Sequence, residues 1–167
     1  GKQSSRERPD ALIGPVHHAS ESTRTLARGL ARVSSDQGGL AGALQTLVDS
    51  LVATQEVEIA FRNGVRNQLR MSDEDATHLF RIAQEAVTNS LRHADATRID
   101  ISLDRDSDSV LMTITDNGQG FPEDHDQRRG GLGIRTMQFR AAAVRALLEV
   151  SQVRGYGVTV RCRVPVE

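Results

Sequence analysis

Lysine is almost missing from this chain: among 21 lysines and arginines, Lys2 is the only lysine. That absence removes chemistry that needs an amine in the folded body. A phosphate loop ending in Gly-Lys-Ser/Thr, a Schiff-base lysine and a kinase-type strand lysine are all excluded. Cysteine is equally scarce. Cys162 stands alone, so neither an internal disulfide framework nor a multi-cysteine metal site is available. Its place in VTVRCRV reads as an inert strand position. Charge of one sign is also lacking: the net charge is −1, which gives no field directed at nucleic acid. No apolar run approaches a membrane span, and the opening GKQSSRERPD is polar rather than signal-like. These absences predict a cytoplasmic chain with no nucleic-acid partner and no membrane contact of its own. What is present is ordinary for one well-buried domain with something appended: 167 residues, 38% hydrophobic and 26% charged.

Periodicity divides the chain. Residues 1–10 have none. From Pro15, apolar or small residues recur at Val16, Ala19, Thr23, Leu26, Leu30 and Val33, a heptad seam of about three repeats that suits either a helix packing on its own domain or half of a helical hairpin or dimer stalk. SSDQGG (34–39) interrupts it, and residues 40–55 form a second amphipathic helix. VEIAFRNG (57–64) alternates like an edge strand. Residues 71–96 make the best helix in the chain. Ser72 can cap it, three acids follow, and Leu79, Ala83, Ala86, Val87 and Leu91 form its apolar stripe. Strands are predicted over 98–105 and 109–116, a helix over 134–147, and a closing hairpin around Gly155-Tyr156-Gly157. Helices and strands mix without strict βαβ alternation, so the expected class is α+β: one sheet with helices on one face.

Three stretches go beyond architecture. On the helix over 71–96, Glu85, Asn89 and His93 recur every fourth residue on one face, with Arg92 beside them. Glu85 and Asn89 offer the oxygen ligands that suit Mg²⁺, which takes one or two protein oxygens plus phosphate. Arg92 and His93 suit phosphate oxygens. The second stretch, Asp116-Asn117-Gly118-Gln119-Gly120, ends a strand. Asn-Gly alone signals a tight turn, but the second glycine, Phe121 and the long polar loop after it point to a site. Third, Gly130, Gly131 and Gly133 precede a helix, so the backbone N–H groups from Leu132 to Thr136 are predicted to face an anion. The loop from 121 to 133 has little to bury and reads as a lid.

Taken in order, EAVTNSLRHA, DNGQGF, GGLGI and GYGVTV resemble the ATP-binding domain of sensor histidine kinases of the nitrate/nitrite-sensor class, within the Bergerat-fold ATPases. The resemblance covers about residues 40–165. It implies a two-layer α/β sandwich with a mixed, mostly antiparallel sheet, preceded by an N-terminal helix, and ATP and Mg²⁺ as ligands. By the same resemblance Asn89 would ligate Mg²⁺, with Glu85 acting through water. Arg92 and His93 would approach the phosphates, and Asp116 would accept from the adenine amino group. Gly118 and Gly120 would leave room for the nucleotide, with Phe121 and Ile134 beside it. Gly131, Leu132 and Gly133 would bring lid N–H groups to the phosphates, and Thr159 would support the adenine edge.

The resemblance also divides the chain into 1–36, a start and the remnant of a second dimerisation helix, and 37–167, the ATP-binding catalytic domain. It implies a homodimer through the helical stalk and a response-regulator receiver domain as the final phosphate acceptor. The family's phosphoacceptor histidine lies on a preceding helix and is followed by an acid. His17 and His18 are followed by Ala19 and Ser20, so the expectation is that this fragment lacks the acceptor. His78 and His125 read as ordinary solvated residues. Two other functions fit weaker parts of the pattern. One is an ATPase driving a conformational cycle with Glu85 as general base; the other is a non-catalytic nucleotide-binding module.

Overall fold

The computed structural model describes residues 33–65, 69, 71–121, 131–152 and 157–165. The stalk expected ahead of Val33, with His17 and His18, lies outside the described residues. So do His125 and the greater part of the expected lid. The elements run from a 3-10 turn (Ser35–Gln37) through α1 (Gly39–Val52), β1 (Glu58–Asn63), α2 (Asp73–His93) and β2 (Arg98–Arg105). They continue with β3 (Ser109–Asp116), α3 (Leu132–Ala143), β4 (Leu147–Gln152) and β5 (Val158–Pro165).

The strands form one sheet in the order β1-β2-β3-β5-β4. β1 pairs with β2 in parallel, Glu58 opposite Arg98, and the other three pairings are antiparallel. The parallel pairing follows from connectivity, because α2 is the crossover between those two strands. The sheet is therefore mixed and mostly antiparallel, and β1 is an edge strand, both as expected. Strand parity decides what faces the helices. Ile99, Ile101 and Leu103 on β2, Val110, Met112 and Ile114 on β3, and Val160, Cys162 and Val164 on β5 are all buried. Their alternating neighbours Asp100, Ser102, Thr113, Thr115, Arg161 and Arg163 are half-buried or exposed, which marks the uncovered face. On that face Arg98 bonds Asp100 at 2.8 Å and Glu58 at 3.2 Å. The adjacent guanidinium holds the Asp100 carboxyl below the usual carboxylate range.

On the covered face α1 buries Leu40, Leu44, Leu47, Val48 and Leu51. α2 begins where its sequence signals: Ser72 is extended and its Oγ accepts from the Asp75 N–H at 3.0 Å. The buried band of α2 is wider than the predicted stripe and includes Ala76, Phe80, Ile82, Gln84 and Ser90, whereas Leu91 is only half-buried. Fully buried side chains such as Leu79, Ile82 and Val87 each contribute on the order of 1.5–3 kcal/mol. His78 is half-buried rather than solvated, and its Nδ1 is buried without a partner among the described residues. Where the chain enters the domain, the buried Val33 donates its N–H to Thr77 Oγ1 at 3.2 Å. The Ser35 N–H and hydroxyl both donate to Asp73 Oδ1, at 2.9 and 2.8 Å.

The last helix needs correcting. Expected over 134–147, it runs from Leu132 to Ala143, and Leu147 already belongs to β4. It stops because Arg145 takes a left-handed φ of 54°, a conformation an α-helix cannot continue through.

Cys162 lies in the core, and burial pushes its thiol up to about 12. The folded thiol thus stays protonated where the unfolded one ionises, above a pH of about 8.5. Its contribution to stability is whole below that pH and is lost as pH climbs toward 12. A disulfide-exchange reagent at pH 8 is expected to leave the native protein unlabelled and to titrate the single thiol only after denaturation. Rapid labelling of the native protein would contradict this burial.

Candidate functional site

Parity also explains the most unusual side chain in the core. Asp116 continues the inward series Val110, Met112, Ile114 and is 4% exposed. A carboxylate in that position must be met by donors. Its Oδ2 accepts from Ser90 Oγ at 2.7 Å. Its Oδ1 accepts from the N–H of Gly118 at 2.9 Å and of Val158 at 3.2 Å. Helix α2, the end of β3 and the start of β5 therefore converge on one group, whose remaining acceptor capacity faces a cavity of about 910 Å³. That volume suits a ligand of drug or nucleotide size.

The cavity lies between α2, α3 and the sheet. Ile114, Met137, Val150, Val158 and Val160 supply apolar walls. From α2 come Glu85 and Asn89, half-buried, then Arg92 and His93, exposed at its final turn. Glu85 and Asn89 sit beside the buried band of α2. Among the described residues, no hydrogen bond engages either side chain, so both keep their oxygens for a ligand. Gly120, Phe121, Gly131, Leu132, Gly133 and Ile134 complete the rim. Gly133 makes the closest approach: a Cβ there would collide with Glu85 Oε1 and lie 3.2 Å from Asn89 Nδ2. The start of α3 thus packs directly on the tips of those two side chains.

The free N–H groups at that helix start are fewer than expected. Arg135 N–H already bonds the Gly131 carbonyl at 3.2 Å, so the groups left without intrahelical partners end at Ile134 rather than Thr136. They lie over Glu85 and Asn89, while Asp116 lies under Ser90, which follows Asn89 and turns toward the sheet. The arrangement suits an elongated ligand. One end carries hydrogen-bond donors for Asp116, the middle is flat and apolar, and the other end is anionic.

Of the residues singled out in the sequence, eleven border this one cavity, from Glu85 to Ile134. Gly118 stands behind it, bonded to Asp116. Thr159 is the correction. Its hydroxyl faces Thr115 Oγ1 at 3.2 Å on the uncovered face of the sheet, because parity turns Val158 and Val160 inward and the residue between them outward. Ser90 was missed. Its signal was a polar residue on the buried stripe, three and four positions beyond Val87 and Ala86. A metal fits only in company: among the described residues no three His, Cys, Asp or Glu side chains converge. A carboxamide and a carboxylate beside an anion site suit Mg²⁺ shared with phosphate.

Comparison with known proteins agrees with this geometry. A family profile described as histidine kinase-, DNA gyrase B-, and HSP90-like ATPase matches residues 74–167. The chain is 33% identical over 159 residues to the sensor histidine kinase MctS of Rhizobium johnstonii, covering 93% of this chain and 34% of that protein. It is 30% identical over 148 residues to the sensor histidine kinase LiaS of Bacillus subtilis, covering 89% of this chain and 40% of the other. The chain thus spans well under half the length of these relatives. Among solved structures, it resembles the histidine kinase domain of the Erythrobacter litoralis EL346 blue-light activated histidine kinase. The TM-score is 0.63 at 19% identity, over 93% of this chain and 76% of that one. The ATP binding domain of PrrB from Mycobacterium tuberculosis matches with a TM-score of 0.55 at 18% identity, over 71% and 87% of the two chains.

Proposed function

Because this chain belongs to the histidine kinase-, DNA gyrase B-, and HSP90-like ATPase family, we infer that it is the ATP-binding catalytic domain of a two-component sensor histidine kinase. In this reading residues 37–167 bind Mg·ATP and present its γ-phosphoryl group to a histidine on another segment. A response-regulator receiver domain then takes the phosphate. The observation that carries the reading is the buried Asp116. A carboxylate fixed by three donors at one end of a nucleotide-sized cavity is a receiver for an exocyclic amino group.

Each remaining part has a task under this reading. Asp116 accepts from the adenine amino group, Gly118 and Gly120 give clearance, and Phe121 and Ile134 flank the base. The N–H groups at the start of α3 meet the phosphates, with Arg92 and His93 approaching from α2. Asn89 would hold Mg²⁺, with Glu85 acting on it through water, and the bound ion would supply neutralisation of phosphate charge. Thr159 has no task here, since Val158 occupies the wall position. The parent protein would dimerise through the helical stalk, and this domain would work in the cytoplasm. No helix among the described residues is long and apolar enough to cross a membrane.

The deciding experiment mixes the chain with γ-labelled Mg·ATP and a separately supplied helix carrying a phosphoacceptor histidine. Label is expected on the helix as an acid-labile phosphoramidate. ATP binding without transfer would reduce the domain to a passive module. Release of inorganic phosphate with no labelled helix would make it an ATPase instead.

A further inference from the structure

Gln152, the last residue of β4, does not border the cavity, yet it holds the segment that does. Its Oε1 accepts from the backbone N–H of Phe121 at 2.7 Å. Its amide also lies against Gly120, where an added Cβ would come within 2.6 Å of Cδ and 2.7 Å of Nε2. Gly120 has a φ of +77°, a conformation that favours glycine, and its missing Cβ leaves room for that amide. Phe121 in turn packs against the core and borders both the main cavity and a hollow of about 80 Å³ beside Ile134, Leu148 and Val150.

The earlier part of the same segment is tied down separately. Gly118 N–H bonds Asp116 Oδ1, Gln119 N–H bonds the Ala94 carbonyl at 2.8 Å, and Gln119 Nε2 bonds the His93 carbonyl at 3.2 Å. Gln152 continues that series to Phe121. It stands at the Asp116 end of the cavity, because it pairs in register with Val158, whose N–H bonds Asp116. We propose that Gln152 is a positioning residue for base recognition: through Phe121 it sets the wall against which the purine lies, and so sets nucleoside affinity without touching the nucleotide. This role rests on the reading of the cavity as an ATP site. A neutral amide bonding a backbone N–H acts on the base alone, so adenosine, ADP and Mg·ATP should feel it equally.

The test uses the whole 167-residue chain. Gln152→Ala is expected to weaken adenosine, ADP and Mg·ATP by one common factor, about three- to tenfold, as for the loss of one neutral hydrogen bond. The ¹H–¹⁵N resonance of the Phe121 amide should move upfield in the same variant. Gln152→Glu keeps an acceptor at the same reach, and should restore both that resonance and most of the affinity. Unchanged adenosine affinity in Gln152→Ala, with the Phe121 resonance displaced, overturns the proposal. So does a loss confined to Mg·ATP, which would place the effect at the phosphates. If the wild-type chain binds neither adenosine nor ADP, the ATP reading itself has failed, and this role falls with it.

Discussion

Asp116→Asn is expected to lower ATP affinity by about 30- to 100-fold while leaving the fold intact, the scale of a lost hydrogen bond to a charged group. The direction comes from how the side chain is held. Oδ1 accepts from two backbone N–H groups, of Gly118 and Val158, which neither rotate nor reverse. An asparagine must therefore place its carbonyl oxygen there and its NH₂ at the Oδ2 position. Ser90 can accommodate that change, because a hydroxyl accepts as readily as it donates. An adenine amino group cannot, and donor would face donor. Displacement of a fluorescent ATP analogue measures the loss, and a melting curve within a few degrees of wild type shows that folding survives. Wild-type affinity in a folded Asp116→Asn chain would remove Asp116 from base recognition.

Asn89→Ala separates the other end of the site. Phosphotransfer to a supplied acceptor helix is expected to fall on the order of 100-fold, since a lost metal contact withdraws several kcal/mol of charge stabilisation. Adenosine affinity should stay unchanged, because the base end is untouched. Alanine is the best helix former, and Asn89 has no hydrogen bond to lose among the described residues, so α2 should not suffer. The informative measurement is the Mg²⁺ dependence of the transfer rate, with the midpoint moving to higher Mg²⁺. An unshifted midpoint at a wild-type rate would mean that the ion is held elsewhere.

The parts of this molecule that were legible in advance are those whose signals are local. β2 and β3 match their predicted ranges because each is a largely alternating stretch set off by the polar turn between them. The start of α2 was marked by Ser72 and the three acids that follow it. α3 was placed two residues late because Gly131 and Gly133 look like breakers, and its buried stripe is only Ile134, Met137 and Ala141. In the site, Glu85 and Asn89 are legible from their fourfold spacing with His93, and Asp116 from its place at a strand end beside glycines. The role of Thr159 comes from the resemblance alone, where strand parity should have decided. Ser90 and Gln152 take their roles from contacts 26 and 31 residues away in the chain, and neither distance leaves a trace in the spacing.

The entry of the chain into the domain has a mechanical meaning. Ser35 and Val33 are tied to Asp73 and Thr77, on the first turns of a helix of 21 residues. Such a rod is about 30 Å long, and its far half carries Glu85, Asn89, Arg92 and His93. A change in the placement of the chain at Val33 and Ser35 would therefore be felt first at the start of that rod through these ties. The two segments are joined there by three hydrogen bonds that a single change at Asp73 would reduce to one.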